Sequence, residues 1–273
     1  MLINGQPTET ISARDRGLQY GDGLFETIAV VNGVPRLWER HMARLDRGLR
    51  RLKFPPQDKE RLWTETCSLL SPNAKAVIKL LVTRGQGGRG YRPPTDQQTT
   101  RIISLHPWPD IPLDWNREGI ELRLCHSRLG RNRALAGLKH LNRLEQVQAR
   151  QEWDDPGIPE GLMLDEHDHV IEGTQSNLFL VKAGVLLTPD LTHSGVAGVV
   201  RELVLEEATE LGIQTVVSDL DLAAVTAADA LFITNSLWGI CPVARFVGHR
   251  FEPKQIPAEL TRRVHAQCLG SPR

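Results

Sequence analysis

The sequence predicts an α+β fold in two domains. Three observations carry this expectation: short apolar runs bounded by Asn-Gly pairs, helix-period segments between those runs, and a proline-rich stretch that divides the chain. A small N-terminal α/β domain is placed at 1–106, a connector at 107–117 and a larger domain at 118–273. Each of the two domains is long enough to bury a core of its own.

The elements follow in order. Leu2-Ile3-Asn4-Gly5 reads as the start of a β-hairpin, because Asn-Gly favours a tight primed turn. Leu24 to Val31 is a strand closed by a second such pair, Asn32-Gly33. From Leu37 to Leu52 the residues Leu37, Met42, Leu45, Leu49 and Leu52 recur at helical spacing, giving an amphipathic helix with an arginine-rich outer face. Ala74 to Thr83 and Thr100 to Leu105 are strands that flank a Gly-rich loop. The stretch His106 to Pro112 contains Pro107, Pro109 and Pro112, which excludes helix and central strand and marks the connector. Beyond it come a strand at Ile120 to Cys125, a helix at Leu141 to Trp153, a strand pair within Gly161 to Val181 and a turn at Gly184. A helix at Val199 to Leu211, strands near Ile213 to Val217 and Ala230 to Thr234, and a short C-terminal helix complete the chain.

Thirty-three basic residues balance 33 acidic ones, so no global field draws the chain to nucleic acid or to an anionic membrane. Basic residues do cluster at Arg40 to Lys53 and at Arg84 to Arg92, which leaves room for a local anion site. The four cysteines show no CxxC spacing, so no metal site is expected. There is no signal-peptide pattern and no apolar run of spanning length, and a cytoplasmic location is expected.

Lys139 stands among small and apolar residues in Leu135-Ala136-Gly137-Leu138-Lys139-His140-Leu141. Apolar neighbours disfavour the ammonium form and make the free amine available as nucleophile or base. The same spacing also fits a surface lysine at a helix start. Glu172 lies between a strand-like stretch and a polar turn, where it either faces a ring nitrogen or caps backbone amides. Gly195 to Arg201 leads into a helix whose N-terminal amides suit a phosphate, and Thr234-Asn235-Ser236 offers further amides and a hydroxyl. No Walker loop or dinucleotide fingerprint is present.

Five segments stand in a fixed order: Tyr20 to Thr27 (YGDGLFET), His41-x-x-Arg44-Leu45, Lys139, Glu172-Gly173-x-x-x-Asn177-Leu178-Phe179 and Gly198-Val199-x-Arg201. Together they resemble the fold-type IV pyridoxal-phosphate family, which includes branched-chain and D-amino acid aminotransferases and 4-amino-4-deoxychorismate lyases. The resemblance runs from Gly5 to about Val243. It implies a larger C-terminal domain with a barrel-like β core, with pyridoxal 5'-phosphate as cofactor. It makes Lys139 the Schiff-base lysine and proton shuttle, and Glu172 the partner of the ring nitrogen. Arg44 would grip the phosphate, with the backbone of Val199 and Val200 and the Asn235-Ser236 turn completing the cradle. Arg143 falls where many aminotransferases of the group place a tyrosine, while Thr27 and His140 would assist proton delivery. A homodimer is implied, with the segment Tyr20 to Phe25 reaching in from the partner.

Two segments are similar to the lyase branch: Thr83 to Tyr91, and Gly137 to Gln146. The first sets arginines on a mobile Gly-rich loop, suited to a substrate with two carboxylates. Arg89 is the expected carboxylate ligand, with Tyr91 and Tyr20 beside the substrate; a solvated hairpin tip is the plainer alternative. The implied reaction converts 4-amino-4-deoxychorismate to 4-aminobenzoate and pyruvate in folate synthesis. The rivals are an aminotransferase on the same fold and a cofactor-free binding protein.

Overall fold

Asn4 and Gly5 (φ 52° and 82°) and Asn32 and Gly33 (φ 55° and 73°) all adopt the left-handed backbone that primed turns require. In the computed structural model, which describes residues 1–112 and 114–270, the two pairs organise one edge of a sheet and one hairpin of it. The first turn links Ile3 and Gln6 by reciprocal hydrogen bonds of 2.9 and 3.0 Å. The expected hairpin stops there, since Pro7 has no N–H to extend a ladder. Strand β1 (Leu2–Ile3) pairs instead with β5 (Thr100–Pro107).

The chain divides into two units, Met1–Pro109 with Leu138–Asn142, and Asp110–Gly137 with the residues from Arg143 onward. The first unit holds β1, α1 (Arg16–Tyr20), β2 (Gly23–Val31), β3 (Val34–Pro35), α2 (Trp38–Arg51), α3 (Lys59–Cys67), β4 (Ala76–Thr83) and β5. Its sheet runs in the order β1-β5-β4-β2-β3. Period-two alternation sorts β2 into a buried row, Leu24, Glu26, Ile28 and Val30, and a less buried row, Phe25 and Thr27. The stripe Met42, Leu45 and Leu49 of α2 is buried. Gly48 lets α2 approach β2, because a Cβ there would stand 2.7 Å from Leu24 Cδ1.

Three expectations need correction in this unit. Helix α3 was not foreseen; its buried residues are only Leu62 and Thr66, and Asp58 caps it by accepting from the Arg61 amide. Strand β5 continues through His106 and Pro107, beyond its expected end at Leu105 and into the first residue of the expected connector. Pro107 pairs only with Ala76 of β4, at the strand's end where β1 no longer reaches, so its missing N–H costs nothing. The five residues Leu138–Asn142 group with the first unit rather than with the chain around them. Their backbone bonds explain this, since Phe25 N donates to Lys139 O at 2.9 Å and Leu141 N to Gly23 O at 3.0 Å. For the same reason the helix expected from Leu141 begins only at Leu144.

The second unit contains α4 (Trp115–Glu118), β6 (Ile120–Leu129), α5 (Leu144–Arg150), β7 (Glu160–Asp165), β8 (Val170–Gly173), β9 (Asn177–Lys182) and β10 (Val185–Pro189). It continues with α6 (Val199–Glu210), β11 (Thr215–Ser218), α7 (Leu222–Thr226), β12 (Ala230–Asn235), β13 (Gly239–Phe246), β14 (His249–Arg250) and α8 (Ala258–Leu269). Six strands close a ring, β9-β12-β13-β6-β7-β8, sealed by the pair Glu172↔Asn177 between β8 and β9. Closure leaves no free edge within the ring. This is the barrel-like core that the resemblance implied. Leu162, Val170, Leu178, Leu231 and Val243 are among its buried residues. Among the described residues no helix is long and apolar enough to cross a membrane.

Candidate active site

Lys139 is carried by the Leu138–Asn142 segment, whose backbone is hydrogen-bonded to the start of β2. Its Nζ lies 4.4 Å from the centroid of the Phe25 ring, and Lys79 Nζ lies 5.7 Å from the same centroid. Lys79 pairs with Thr27 on one side and Ser104 on the other, and the Ser104 hydroxyl meets His106 Nε2 at 2.8 Å. One face of the sheet therefore gathers an amine over an aromatic ring, a second ammonium, and the hydroxyls of Thr27 and Ser104. Such a surface suits an anionic, polar molecule. Phe25, which the resemblance placed on the segment reaching in from a partner, packs on Lys139 of its own chain.

The row of β2 that carries Glu26 buries a charged cluster against α2, and the Lys139 charge reaches His41 of that cluster. Arg44 donates through Nε to Glu26 Oε1 at 2.9 Å and through Nη2 to Glu26 Oε2, while His41 Nδ1 meets Glu26 Oε2 at 2.6 Å. His41 and Arg44 stand three residues apart on α2, so both reach the same point of β2. Burial opposes ionisation of Glu26, but the Arg44 charge and the hydrogen bonds from His41 and Arg44 hold its carboxyl at about 2. Burial pulls His41 below its ordinary value, against the hydrogen bond and charge of Glu26. The fork on Glu26 fixes the plane of the Arg44 guanidinium.

In the second unit Glu172 is buried and accepts from the Val196 amide at 2.8 Å and from Asn177 Nδ2 at 3.3 Å. Asn177 Nδ2 also donates to Val196 O at 2.9 Å. The turn between Glu172 and Asn177 is locked from behind by Glu160, which accepts from the Gly161, Thr174 and Gln175 amides and from the Thr174 and Ser176 hydroxyls at 2.5 to 3.2 Å. Burial pushes the Glu160 carboxyl upward in spite of those donors.

Helix α6 starts at Gly198 with no side-chain cap, leaving its first amides to an outside acceptor. Val199 and Val200 are buried there, and Arg201 ties the first turn to β10 through Thr188 Oγ1 at 3.2 Å and Pro189 O at 3.0 Å. Asn235 Oδ1 accepts from the Leu237 and Trp238 amides, both at 2.9 Å, so this side chain shapes the turn that carries Ser236. The Thr234 hydroxyl, opposite Asn177 in the β9–β12 pair, is buried without a hydrogen-bond partner. An uncapped helix end and an orphaned hydroxyl are what an absent phosphate would leave. Burial lowers the pKa of Arg143, against the charge of Glu172, which comes first among its acidic neighbours.

Arg89 and Tyr91 lie exposed on the Gly-rich loop, and Tyr91 packs edge-on against Tyr20 with ring centroids 5.5 Å apart. The loop was expected to be mobile, yet its roots are fastened. Asp22 Oδ2 accepts from Arg16 Nε at 2.8 Å and Arg84 Nε at 2.9 Å, and Asp15 Oδ2 from the Thr83 and Thr100 hydroxyls at 2.9 and 2.8 Å.

Sequence reasoning overlooked Glu26, Lys79, Glu160 and Arg16. Glu26 had a signal, because it occupies the buried parity of an otherwise apolar strand. Lys79 was masked inside a strand read only for its hydrophobicity.

Residues 23–246 match the amino-transferase class IV family. The chain is 38% identical over 242 residues to the aminodeoxychorismate lyase of Vibrio harveyi, covering 89% of each. It is 34% identical over 258 residues to a putative branched-chain-amino-acid aminotransferase of Methanocaldococcus jannaschii, covering 93% of this chain and 88% of the relative. It superimposes on the crystal structure of 4-amino-4-deoxychorismate lyase from Pseudomonas aeruginosa with a TM-score of 0.91 and 46% identity, covering 98% of this chain and 99% of that one. The chain belongs to the class IV amino-transferase family. Its fold is that of fold-type IV.

Proposed function

We propose that the protein is a pyridoxal-phosphate-dependent lyase that converts 4-amino-4-deoxychorismate to 4-aminobenzoate and pyruvate. Two relatives of that activity support it, one in sequence and one in structure. The observation that carries it beyond the shared fold is Lys79 beside Thr27 and Ser104 on the sheet face that also holds the Lys139 amine. A branched aliphatic side chain would be poorly served by that face, whereas a dicarboxylate gains a cation.

When bound, the cofactor supplies an aldehyde to which amines attach and a pyridinium ring that withdraws electrons from the attached substrate. The residues fit it. Lys139 would provide the amine that holds the aldehyde, and Glu172, oriented by Val196 and Asn177, would favour the protonated ring nitrogen. The amides of Val199 and Val200, the Asn235-Ser236 turn and Arg44, its plane fixed by Glu26, take the phosphate. With the cofactor bound, Lys139 would act as base and take the proton from the amine-bearing ring carbon of the substrate. The ring becomes aromatic as the carbon–oxygen bond breaks, and the enolpyruvyl oxygen leaves with a proton, which the Thr27 hydroxyl helps to deliver. Lys79 and Arg89 bind the two carboxylates, with Tyr20 and Tyr91 flanking the substrate. The working form is a cytoplasmic homodimer, a reading supported by the exposed apolar side chains of Leu18 and Tyr91 near Tyr20 and by four free cysteines.

The test is product analysis. Purified enzyme given 4-amino-4-deoxychorismate should release 4-aminobenzoate and pyruvate in equal amounts, and Lys139→Ala should release neither. Sustained exchange of amino groups between an amino acid and a keto acid, without 4-aminobenzoate, would instead make the protein an aminotransferase.

A further inference from the structure

The Gly-rich loop has four glycines in six residues, Gly85, Gly87, Gly88 and Gly90, and so begins with a large backbone entropy to lose. One buried side chain runs through it. Arg16, 3% exposed, donates from Nη1 to Gly90 O at 3.0 Å and from Nη2 to Tyr91 O at 2.9 Å, while Nε holds Asp22 Oδ2 at 2.8 Å. Its backbone N donates to Gly85 O at 2.8 Å, at the other end of the loop. Its guanidinium stacks 4.9 Å from the Tyr20 ring, which itself meets Tyr91. Gly87 is shaped to this passage, since a Cβ there would stand 2.8 Å from Arg16 Cδ. Gly90, at φ 86°, turns the chain so that its carbonyl faces the clamp.

We propose that Arg16 is the positioning residue of the substrate loop, holding Arg89 ready for a substrate carboxylate; this rests on the reading of Arg89 as a carboxylate ligand. Arg89 immediately precedes the two carbonyls that Arg16 grips, so the clamp limits where its guanidinium can reach. Only a planar fork can meet a carboxylate and two carbonyls in one plane, and a lysine ammonium cannot replace it. With the clamp in place the loop is ordered before substrate arrives, and the ordering cost is not charged against binding.

The experiment uses holoenzyme and the double-mutant pair Arg16→Lys and Arg89→Ala. Arg16→Lys should raise KM about tenfold with kcat changed less than about twofold, and should add almost nothing once Arg89 is alanine. It should also speed tryptic cleavage after Arg89 in the native enzyme while leaving cofactor affinity unchanged. Gly87→Ala, which presses on Arg16 without removing a charge, should raise KM in the same way and covers the case in which Arg16→Lys folds poorly. If Arg89→Ala raises KM and neither Arg16→Lys nor Gly87→Ala does, the clamp is refuted while the loop reading stands. Multiplicative effects of the Arg16 and Arg89 changes refute it too. An Arg89→Ala enzyme with unaltered KM overturns the loop reading and the clamp together.

Discussion

Glu26 illustrates how one residue couples the strand to the helix. Its carboxyl sits at about 2 in the folded protein against an ordinary 4.5, so the folded state binds its proton less readily than the unfolded chain does. The stabilisation is complete above pH 4.5 and disappears as the pH falls through 2; by linkage it is roughly 3 kcal/mol. Glu26→Gln should therefore lower stability at neutral pH, and the gap between it and the native protein should close only in acid. Urea unfolding of both proteins from pH 6 to pH 2 checks this, and a gap that stays constant over that range would mean that the carboxylate charge contributes nothing. The residue's burial was legible in the sequence from its parity in β2. Its partners were not, because nothing in a linear pattern says that His41 and Arg44 of α2 face that strand rather than solvent.

At the scale of elements, the start of α6 and the end of β8 depend on one contact. Gly198 has an ordinary backbone conformation, so its lack of a side chain matters for space alone: a Cβ would stand 2.0 Å from Asn177 Oδ1. Gly198→Ala should displace Asn177, loosen Glu172 and move the first amides of α6, weakening cofactor binding by at least about tenfold. Titration of apoenzyme with pyridoxal phosphate, followed by absorbance, measures it; an unchanged dissociation constant would remove α6 from the phosphate site. Most of these elements could be read from the sequence, because apolar periodicity and Asn-Gly turns are local signals, and β2, α2 and α6 lie within a residue or two of expectation. The failures share a physical cause. The helix expected from Leu141 starts late because bonds to Gly23 and Phe25, more than a hundred residues earlier, tie Leu138–Asn142 to β2. Pro107 excludes a central strand but not a strand end, and only the register of β5 against β1 tells the two apart.

Over the whole molecule, an ordered set of distant segments pointed to the family and its cofactor, while the substrate side depended on contacts that no segment displays. The fastening of the Gly-rich loop to α1 and Asp22 joins Arg89, Tyr91 and Tyr20 into one structural piece. If Tyr20 serves the partner's site in a homodimer, Arg89 must go with it. A site would then combine Lys139 of one subunit with Arg89 of the other. Dissociating and remixing equal amounts of Lys139→Ala and Arg89→Ala enzymes should make half of the dimers mixed, each with one intact site, so that activity returns to about a quarter of the native value. Were Arg89 to act within its own subunit, every site in the mixture would lack either the lysine or the arginine. Activity would then stay at the level of the separate variants, and Tyr20 and the loop would belong to the same chain's lysine.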